Sequence, residues 1–238
     1  RMQSFPGTFN LFIVSPNFTP EFLMEFLNSY SKQTDYIPKN YSKEGNHLLF
    51  EAQRVLGAGA FFPELKLAAG WRKSGIEVLN REIKLQVLED GVQWELSPVY
   101  HVACIEIFMK AYNSAKMAGV EKEFPASYIK TVEKMMEVTA NISFPDYNNP
   151  MFGDSWLFDK NARIKLFASW SALFPQNGLL KYFGTDGKQG KLPDYLSHAF
   201  SNGGFYTFRN GWKEQSTVMI VKAGPPAEFH AQPDNGTF

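Results

Sequence analysis

Apolar residues recur at helical spacing through most of the first 175 residues. After Thr19 comes a proline, which favours the first turn of a helix, and the apolar positions that follow share one face. Five further helices are predicted: near 42–62, from Pro63 to about 88, from Ser97 towards Gly119, about 126–140, and about 161–173. Gly70 and Gly75 leave room for a break in the second of these five.

The chain changes character after residue 174, where glycine and proline become frequent. Two runs rich in β-formers follow, GGFYTFRNGW and STVMIVKAG, with Asn210-Gly211 between them as a hairpin signal. Two strands do not form a stable sheet alone, so we expect the sheet to be completed elsewhere. Helices followed by strands predict an α+β fold. An α/α barrel of helical hairpins and a compact helical bundle both fit the pattern.

Charge and composition exclude several classes of protein. The 24 Lys and Arg balance the 24 Asp and Glu, so no global basic field marks the chain as a nucleic-acid binder. A polyanion would need a local basic patch. The single cysteine, Cys104, excludes an intrachain disulfide and a cysteine-rich zinc site. No apolar run of about 18 residues occurs, so we expect no transmembrane helix and no membrane partner.

The first residues, RMQSFPGTFNLF, lack the charged-then-apolar order of a signal peptide and do not begin with Met. We therefore expect this chain to begin inside a longer protein. Its aromatic content of 16% fits a rich core better than a cleft that stacks sugar rings, although both are open.

Three of the four histidines occur in contexts that suggest chemistry. His47 follows Asn46 at a helix start, His101 follows Tyr100 in a first helical turn, and His230 follows the second strand. Helix starts favour anions because of the helix dipole. An asparagine amide that binds a uronate carboxylate would stabilise an enolate-like transition state. A tyrosine or histidine could then move the proton, which gives a lyase that works by β-elimination.

Structural roles are the alternative for each of these groups. An Asn-His pair at a helix start is more often a cap, and a tyrosine in a first turn is usually a core residue. A metal site is weakly supported, since His47 and Glu51 form only a single pair. A glycoside hydrolase would need two converging carboxylates, and Asp146, Asp154, Glu51 and Glu95 form no compelling combination.

Five separated motifs carry a family resemblance: GNHLLFEAQRVLGAGAFFPE, SPVYH, NNPMFGDS, GGFYTFRNGW and FHAQPDNGTF. In this order they resemble the heparinase II/III family of polysaccharide lyases, and most closely the heparinase III-type heparan sulfate lyases of Bacteroides-like bacteria. The resemblance covers nearly the whole chain.

The resemblance implies an α/α toroid followed by an antiparallel β-sandwich. Residues 1–175 would form the C-terminal part of the toroid, and residues 176–238 a linker and the first strands of the sandwich. The rest of the same polypeptide would then be a structural partner. The resemblance also implies a periplasmic or secreted protein of a Gram-negative bacterium.

The resemblance implies three catalytic residues, with Asn46 neutralising the substrate carboxylate and Tyr100 and His230 serving proton transfer. His47 would help to bind the uronate. Further substrate contacts are predicted at His101 beside Tyr100, at Asn149 and Asp154 in the loop before the last helix, and at Arg209 in a basic rim that also includes Lys222.

The implied substrate is heparan sulfate, cleaved at glucuronic acid to leave a 4,5-unsaturated uronate. Another uronate polymer such as alginate, a non-catalytic glycan-binding segment and a glycoside hydrolase on a helical scaffold remain alternatives. The resemblance allows a structural divalent metal, but its ligands would lie beyond Phe238, so no metal residue is assigned in this chain.

Overall fold

The structure is a computed structural model that describes residues 4–226 and 229–238. Its helices are α1 (Phe5–Phe12), α2 (Pro20–Tyr36), α3 (Gly45–Phe61), α4 (Ala68–Gln86), α5 (Pro98–Met117), α6 (Ala126–Asn141), α7 (Lys160–Leu173) and α8 (Gly178–Gly184). Short 3-10 turns lie at Ile37–Lys39 and Glu121–Glu123. The strands are β1 (Ser197–Phe200), β2 (Phe205–Arg209) and β3 (Val218–Lys222). This helix-rich chain with one small antiparallel sheet agrees with the predicted α+β class.

The chain divides into two compact units. Unit 1 comprises Arg1–Ile83 and Glu106–Ala126, and unit 2 comprises Lys84–Ile105 and Ser127–Phe238. The polypeptide therefore passes between the units three times: within α4, within α5 and at the start of α6. The predicted boundary at residue 175 between toroid and sandwich stays a prediction.

Unit 1 is built from helices around an aromatic core. Its buried residues are Tyr30, Val55, Ala58, Phe62 and Trp71, and Phe5, Phe9 and Phe26 pack against them. The rings meet mostly at tilted or edge-to-face angles, as between Phe9 and Phe62 with centroids 5.1 Å apart. Much of the high aromatic content thus belongs to this core.

Two helix boundaries in unit 1 show how the sequence determines them. α2 begins as predicted, because the Thr19 hydroxyl accepts the amide N–H of Phe22 at 3.2 Å and Pro20 occupies the first turn. α4 begins at Ala68 instead of after Pro63, and it runs through Gly70 and Gly75 without a break. At Gly75 an added Cβ would lie 2.6 Å from the carbonyl oxygen of Ala52 in α3, so the glycine permits close helix packing.

In unit 2 the sheet has the order β1-β2-β3, and both pairings are antiparallel. β1 was not predicted because it is only four residues long. The predicted tight turn at Asn210-Gly211 is instead a longer loop over residues 210–217, closed by the Asn210 side chain, which accepts the Thr217 amide N–H at 2.9 Å.

The core of unit 2 joins this sheet to the end of α6 and to the loop after it. Its buried residues are Val92, Leu96, Val138, Ile142, Phe152, Phe200, Phe205 and Ile220. Through this core the sheet supports the loop that contains Asn149 and Asp154, two of the predicted site residues. Within the described ranges, no helix has both the length and the apolar character needed to cross a membrane.

Candidate active site

Tyr100 and His230 form the centre of the candidate site in unit 2. Their rings lie parallel, with centroids 3.4 Å apart and an angle of 11° between the planes. Pro98 begins α5, which places Tyr100 in the first turn of that helix with a half-buried side chain. His230 lies after β3 in a segment without regular secondary structure. Two residues far apart in sequence are thus brought into contact.

The carboxylate of Asp154 is hydrogen-bonded to the imidazole of His230. Its Oδ2 lies 3.0 Å from Nδ1 of His230, and its Oδ1 accepts a hydrogen bond from the Gln232 amide at 2.9 Å. The backbone N–H of Asp154 also donates to the carbonyl of His230 at 2.8 Å. The pKa of Asp154 is lowered, chiefly by the hydrogen bond from His230 and secondly by the hydrogen bond from Gln232. An ionised carboxylate only accepts, so the histidine Nδ1 carries the hydrogen.

Gly153 permits this close approach of the two segments. Its φ is +59°, and an added Cβ would lie 2.5 Å from the carbonyl oxygen of His230. Its backbone N–H donates to Oδ2 of Asp234 at 2.5 Å. The loop around Gly153 and the segment from His230 to Asp234 are therefore joined by backbone and side-chain hydrogen bonds.

Glu95 lies at the other end of the imidazole. Its Oε2 is 3.9 Å from Nε2 of His230, and its side chain is only 2% exposed, against 28% for the histidine. The backbone N–H of Glu95 donates to Oε1 of Gln93 at 3.0 Å, which orders the segment before α5. His230 therefore has a carboxylate near each ring nitrogen.

His101, predicted as a substrate contact, has a structural position instead. It is buried, its Nδ1 accepts the amide N–H of Gln93 at 3.1 Å, and its Nε2 lies 2.8 Å from the carbonyl oxygen of Met135. Burial lowers its pKa to about 4. A neutral ring that uses both nitrogens has none to offer a substrate, so His101 supports the segment that carries Glu95.

This buried histidine predicts acid sensitivity. The pKa is about 4 in the fold and 6.5 in the unfolded chain, so the unfolded chain binds more protons between these values. Stability should therefore fall as the pH is lowered from about 6.5 to about 4, by up to about 3 kcal/mol. Thermal unfolding of the full-length polypeptide across this range measures the effect. In His101→Gln the acid-induced loss should be smaller, and an equal loss in both proteins would contradict the assignment.

Three further side chains of the predicted site are also engaged within the protein. Asn149 is buried, and its amide donates to the carbonyl of Pro150 at 3.0 Å. The Asp154 carboxylate is occupied by His230 and Gln232. Lys222, predicted in the basic rim, is buried and donates to the carbonyl of Gly203 at 3.2 Å. These three side chains are better explained by internal contacts than by substrate binding.

Arg209 is partly accessible at the end of β2. Its guanidinium carbon lies 3.7 Å from the centroid of the Trp212 ring, and one nitrogen donates to the carbonyl of Asn141 at 2.5 Å. Burial lowers its pKa to about 10, so it remains a cation at neutral pH. Arg209 lines a cavity of about 130 Å³ together with Lys160 and Tyr182.

Asn46 and His47 belong to unit 1. The N-cap residue of α3 is Glu44, which makes no side-chain cap, so the alternative in which Asn46 caps the helix does not apply. Asn46 lies in the first turn and is half-buried, and His47 is exposed. Both positions are at the helix end whose dipole favours negative groups.

Reasoning from sequence missed the supports of His230. From the sequence, Glu95 is predicted only as a candidate carboxylate of a hydrolase, and no role beside His230 is predicted for Gln232. Gly153 stands beside Asp154 in the NNPMFGDS motif, which was the one signal available for its role. Within residues 4–226 and 229–238, no group of three or more His, Cys, Asp or Glu side chains is arranged to hold a metal ion.

Together, the fold and the site define a helix-rich protein with a small antiparallel sheet and a tyrosine-histidine pair suited to proton transfer. A sequence model described as the heparinase II/III N-terminus matches residues 1–182. The chain therefore belongs to the heparinase II/III family.

Several relatives are similar along the whole chain. A heparin-sulfate lyase of Pedobacter heparinus is 63% identical over 238 residues, and one of Bacteroides stercoris is 56% identical; each match covers 100% of this chain and 36% of the relative. The crystal structure of a heparan sulfate lyase from Pedobacter heparinus matches with a TM-score of 0.85 over 99% of this chain and 37% of that one. A crystal structure of heparinase III, at 31% identity, matches with a TM-score of 0.92 over 99% of this chain and 39% of that one. The chain thus spans little more than a third of the relatives it matches.

Proposed function

We propose that the full-length polypeptide is a polysaccharide lyase that cleaves heparan sulfate at glucuronic acid. The observation that carries this proposal is the parallel contact of Tyr100 with His230, whose imidazole is held by Asp154. The names of the relatives supply the substrate class, since they are heparin-sulfate lyases at up to 63% identity.

The proposed reaction is a β-elimination. Tyr100, as the phenolate, takes the C5 proton of glucuronate, and the C5–H electron pair forms the C4=C5 double bond as the C4–O bond breaks. The C5 hydrogen and the C4 oxygen lie on the same face of glucuronate, so Tyr100 can return the proton to the leaving oxygen. His230 assists from its position against the phenol ring. No water is consumed.

Asn46 is proposed to bind the uronate carboxylate and to stabilise the negative charge that develops there. His47, exposed in the same helical turn, is proposed to bind the same carboxylate. Arg209 is proposed to bind an anionic group of the polymer, because its guanidinium keeps its charge and borders a cavity whose wall also contains Lys160, Asp186 and Glu214.

We also propose that residues 1–175 are part of an α/α toroid and that β1 to β3 begin a larger antiparallel sandwich. The helix-rich first part and the antiparallel pairing of all three strands support this architecture.

A periplasmic or secreted location is proposed from the polymeric substrate, and cell fractionation of the producing bacterium tests it.

The reaction class can be tested by the ultraviolet absorbance of the new conjugated double bond. The full-length polypeptide should generate this signal from heparan sulfate, and digestion of alginate in parallel tests the choice of polymer. Cleavage that yields new reducing ends without absorbance would indicate a hydrolase and contradict the proposal. Binding without cleavage would indicate a glycan-binding protein.

A further inference from the structure

The imidazole of His230 lies against the ring of Tyr100. The segment that carries His230 has no regular secondary structure to orient this ring. A carboxylate lies near each of its two nitrogens, and the phenol ring lies against its face. The nitrogen contacts are Oδ2 of Asp154 at 3.0 Å from Nδ1 and Oε2 of Glu95 at 3.9 Å from Nε2.

We propose that Asp154 and Glu95 are positioning residues that act through His230, an inference that rests on the proposed lyase function. Asp154 fixes Nδ1 as a hydrogen-bond donor and keeps the ring parallel to Tyr100. Glu95 places a buried carboxyl group beside Nε2, at the opposite end of the ring from Asp154. Neither carboxylate needs to touch the polymer for this role.

The surroundings of Asp154 support a positioning role. Its second oxygen accepts from Gln232, its backbone N–H donates to the carbonyl of His230, and its own carbonyl accepts from the Ser97 hydroxyl at 3.2 Å. Ser97 directly precedes α5, the helix that carries Tyr100. Asp154 therefore connects the segment of the histidine to the start of the helix that bears the tyrosine.

The surroundings of Glu95 support the same role. A carboxylate that is 2% exposed is costly to bury unless a nearby positive charge or hydrogen-bond donor compensates for it. The imidazole of His230 lies within 4 Å of this carboxyl group. Glu95 is also held through its backbone by Gln93, whose own N–H is bound to His101, so its position is determined by the core of unit 2.

The first experiment compares Asp154→Asn and Glu95→Gln with the unaltered full-length polypeptide on heparan sulfate. Each substitution keeps the shape of the side chain and removes its charge. We expect kcat to fall about 10- to 100-fold in each, the range typical of changing the hydrogen-bond partner behind a functional histidine, with KM within about twofold. Asp35→Asn is the matched control, because it also removes a carboxylate that is bonded to a side-chain nitrogen, that of Lys39, and should leave both constants unchanged.

A rise in KM at constant kcat would overturn the proposal, because it would make these carboxylates substrate contacts. Unchanged constants in both variants would also overturn it. If Asp154→Asn does not fold, as judged by thermal unfolding, Gln232→Ala serves instead. It keeps the carboxylate and removes the side-chain hydrogen bond to its second oxygen, and a fall in kcat smaller than tenfold is expected.

The second experiment does not depend on activity. A crystal structure or imidazole ¹⁵N spectra of full-length Asp154→Asn, with His230 assigned by its loss in His230→Gln, report the ring directly. We expect the ring to leave the plane parallel to Tyr100, or the hydrogen on Nδ1 to be lost. An unaltered ring overturns the proposal even if the lyase reaction is established. A displaced ring in a protein without lyase activity would leave positioning intact and refute the proposed function.

Discussion

Tyr100→Phe in the full-length polypeptide should reduce turnover of heparan sulfate by roughly 10²- to 10⁴-fold, the range expected when a general acid-base group is removed. The substitution deletes one oxygen and keeps the ring that lies 3.4 Å from His230, so the packing of the site should persist. Affinity for heparan sulfate oligosaccharides and the temperature of unfolding should therefore remain close to those of the unaltered protein. Initial rates from ultraviolet absorbance measure turnover, and calorimetry measures the affinity and the temperature of unfolding.

Tyr36→Phe is the control for this experiment. Tyr36 ends α2, and 66% of its surface is exposed, so loss of its hydroxyl should change neither rate nor affinity. Retained turnover in Tyr100→Phe would show that the Tyr100 hydroxyl does not transfer the proton, and His230 would remain as the proton-transfer group. Loss of binding together with loss of rate would instead give the hydroxyl a role in substrate recognition.

Gly153→Ala should destabilise the protein and disturb the site at once. A residue with a side chain in a left-handed conformation costs about 1–2 kcal/mol, and Gly153 has φ +59°. The new Cβ would also lie 2.5 Å from the backbone oxygen of His230, and relieving such overpacking costs about 1–3 kcal/mol. We expect a total loss of about 2–5 kcal/mol and a marked fall in kcat, because the segment of His230 must move.

Gly119→Ala separates the two causes of this loss. Gly119 has φ +67°, but no atom lies within 4 Å of the position that its Cβ would take. It should show only the conformational cost of about 1–2 kcal/mol and normal kcat. Thermal unfolding and steady-state rates compare the two variants. Equal effects in both would mean that contact with His230 has no part in the result.

Local signals in the sequence predicted α2 to α7, whereas α1 and α8 were not predicted. Thr19 caps α2 through its hydroxyl, and Pro20 and Pro98 each occupy the first turn of a helix. The turn at Asn210-Gly211 was misjudged because a dipeptide signal does not determine the length of a loop. β1 was missed because four residues give too short a pattern to recognise.

The candidate site was predicted only in part, for a physical reason. The contact between Tyr100 and His230 joins residues 130 positions apart, so only the family resemblance indicated it. His101 was misjudged because successive residues on a helix point about 100° apart, and Tyr100 at the site places its neighbour in the core. The burial of Glu95 depends on packing between distant segments, which spacing along the chain does not reveal.

The division of this chain into two units has a spectroscopic consequence. Of its five tryptophans, only Trp71 belongs to unit 1, while Trp94, Trp156, Trp170 and Trp212 belong to unit 2. Trp71 is buried in the aromatic core of its unit, so its emission reports the packing of that core. Trp71→Phe would leave this chain with indole fluorescence from unit 2 alone. The emission of the variant then follows the unfolding of unit 2, and the difference between the two proteins follows that of unit 1.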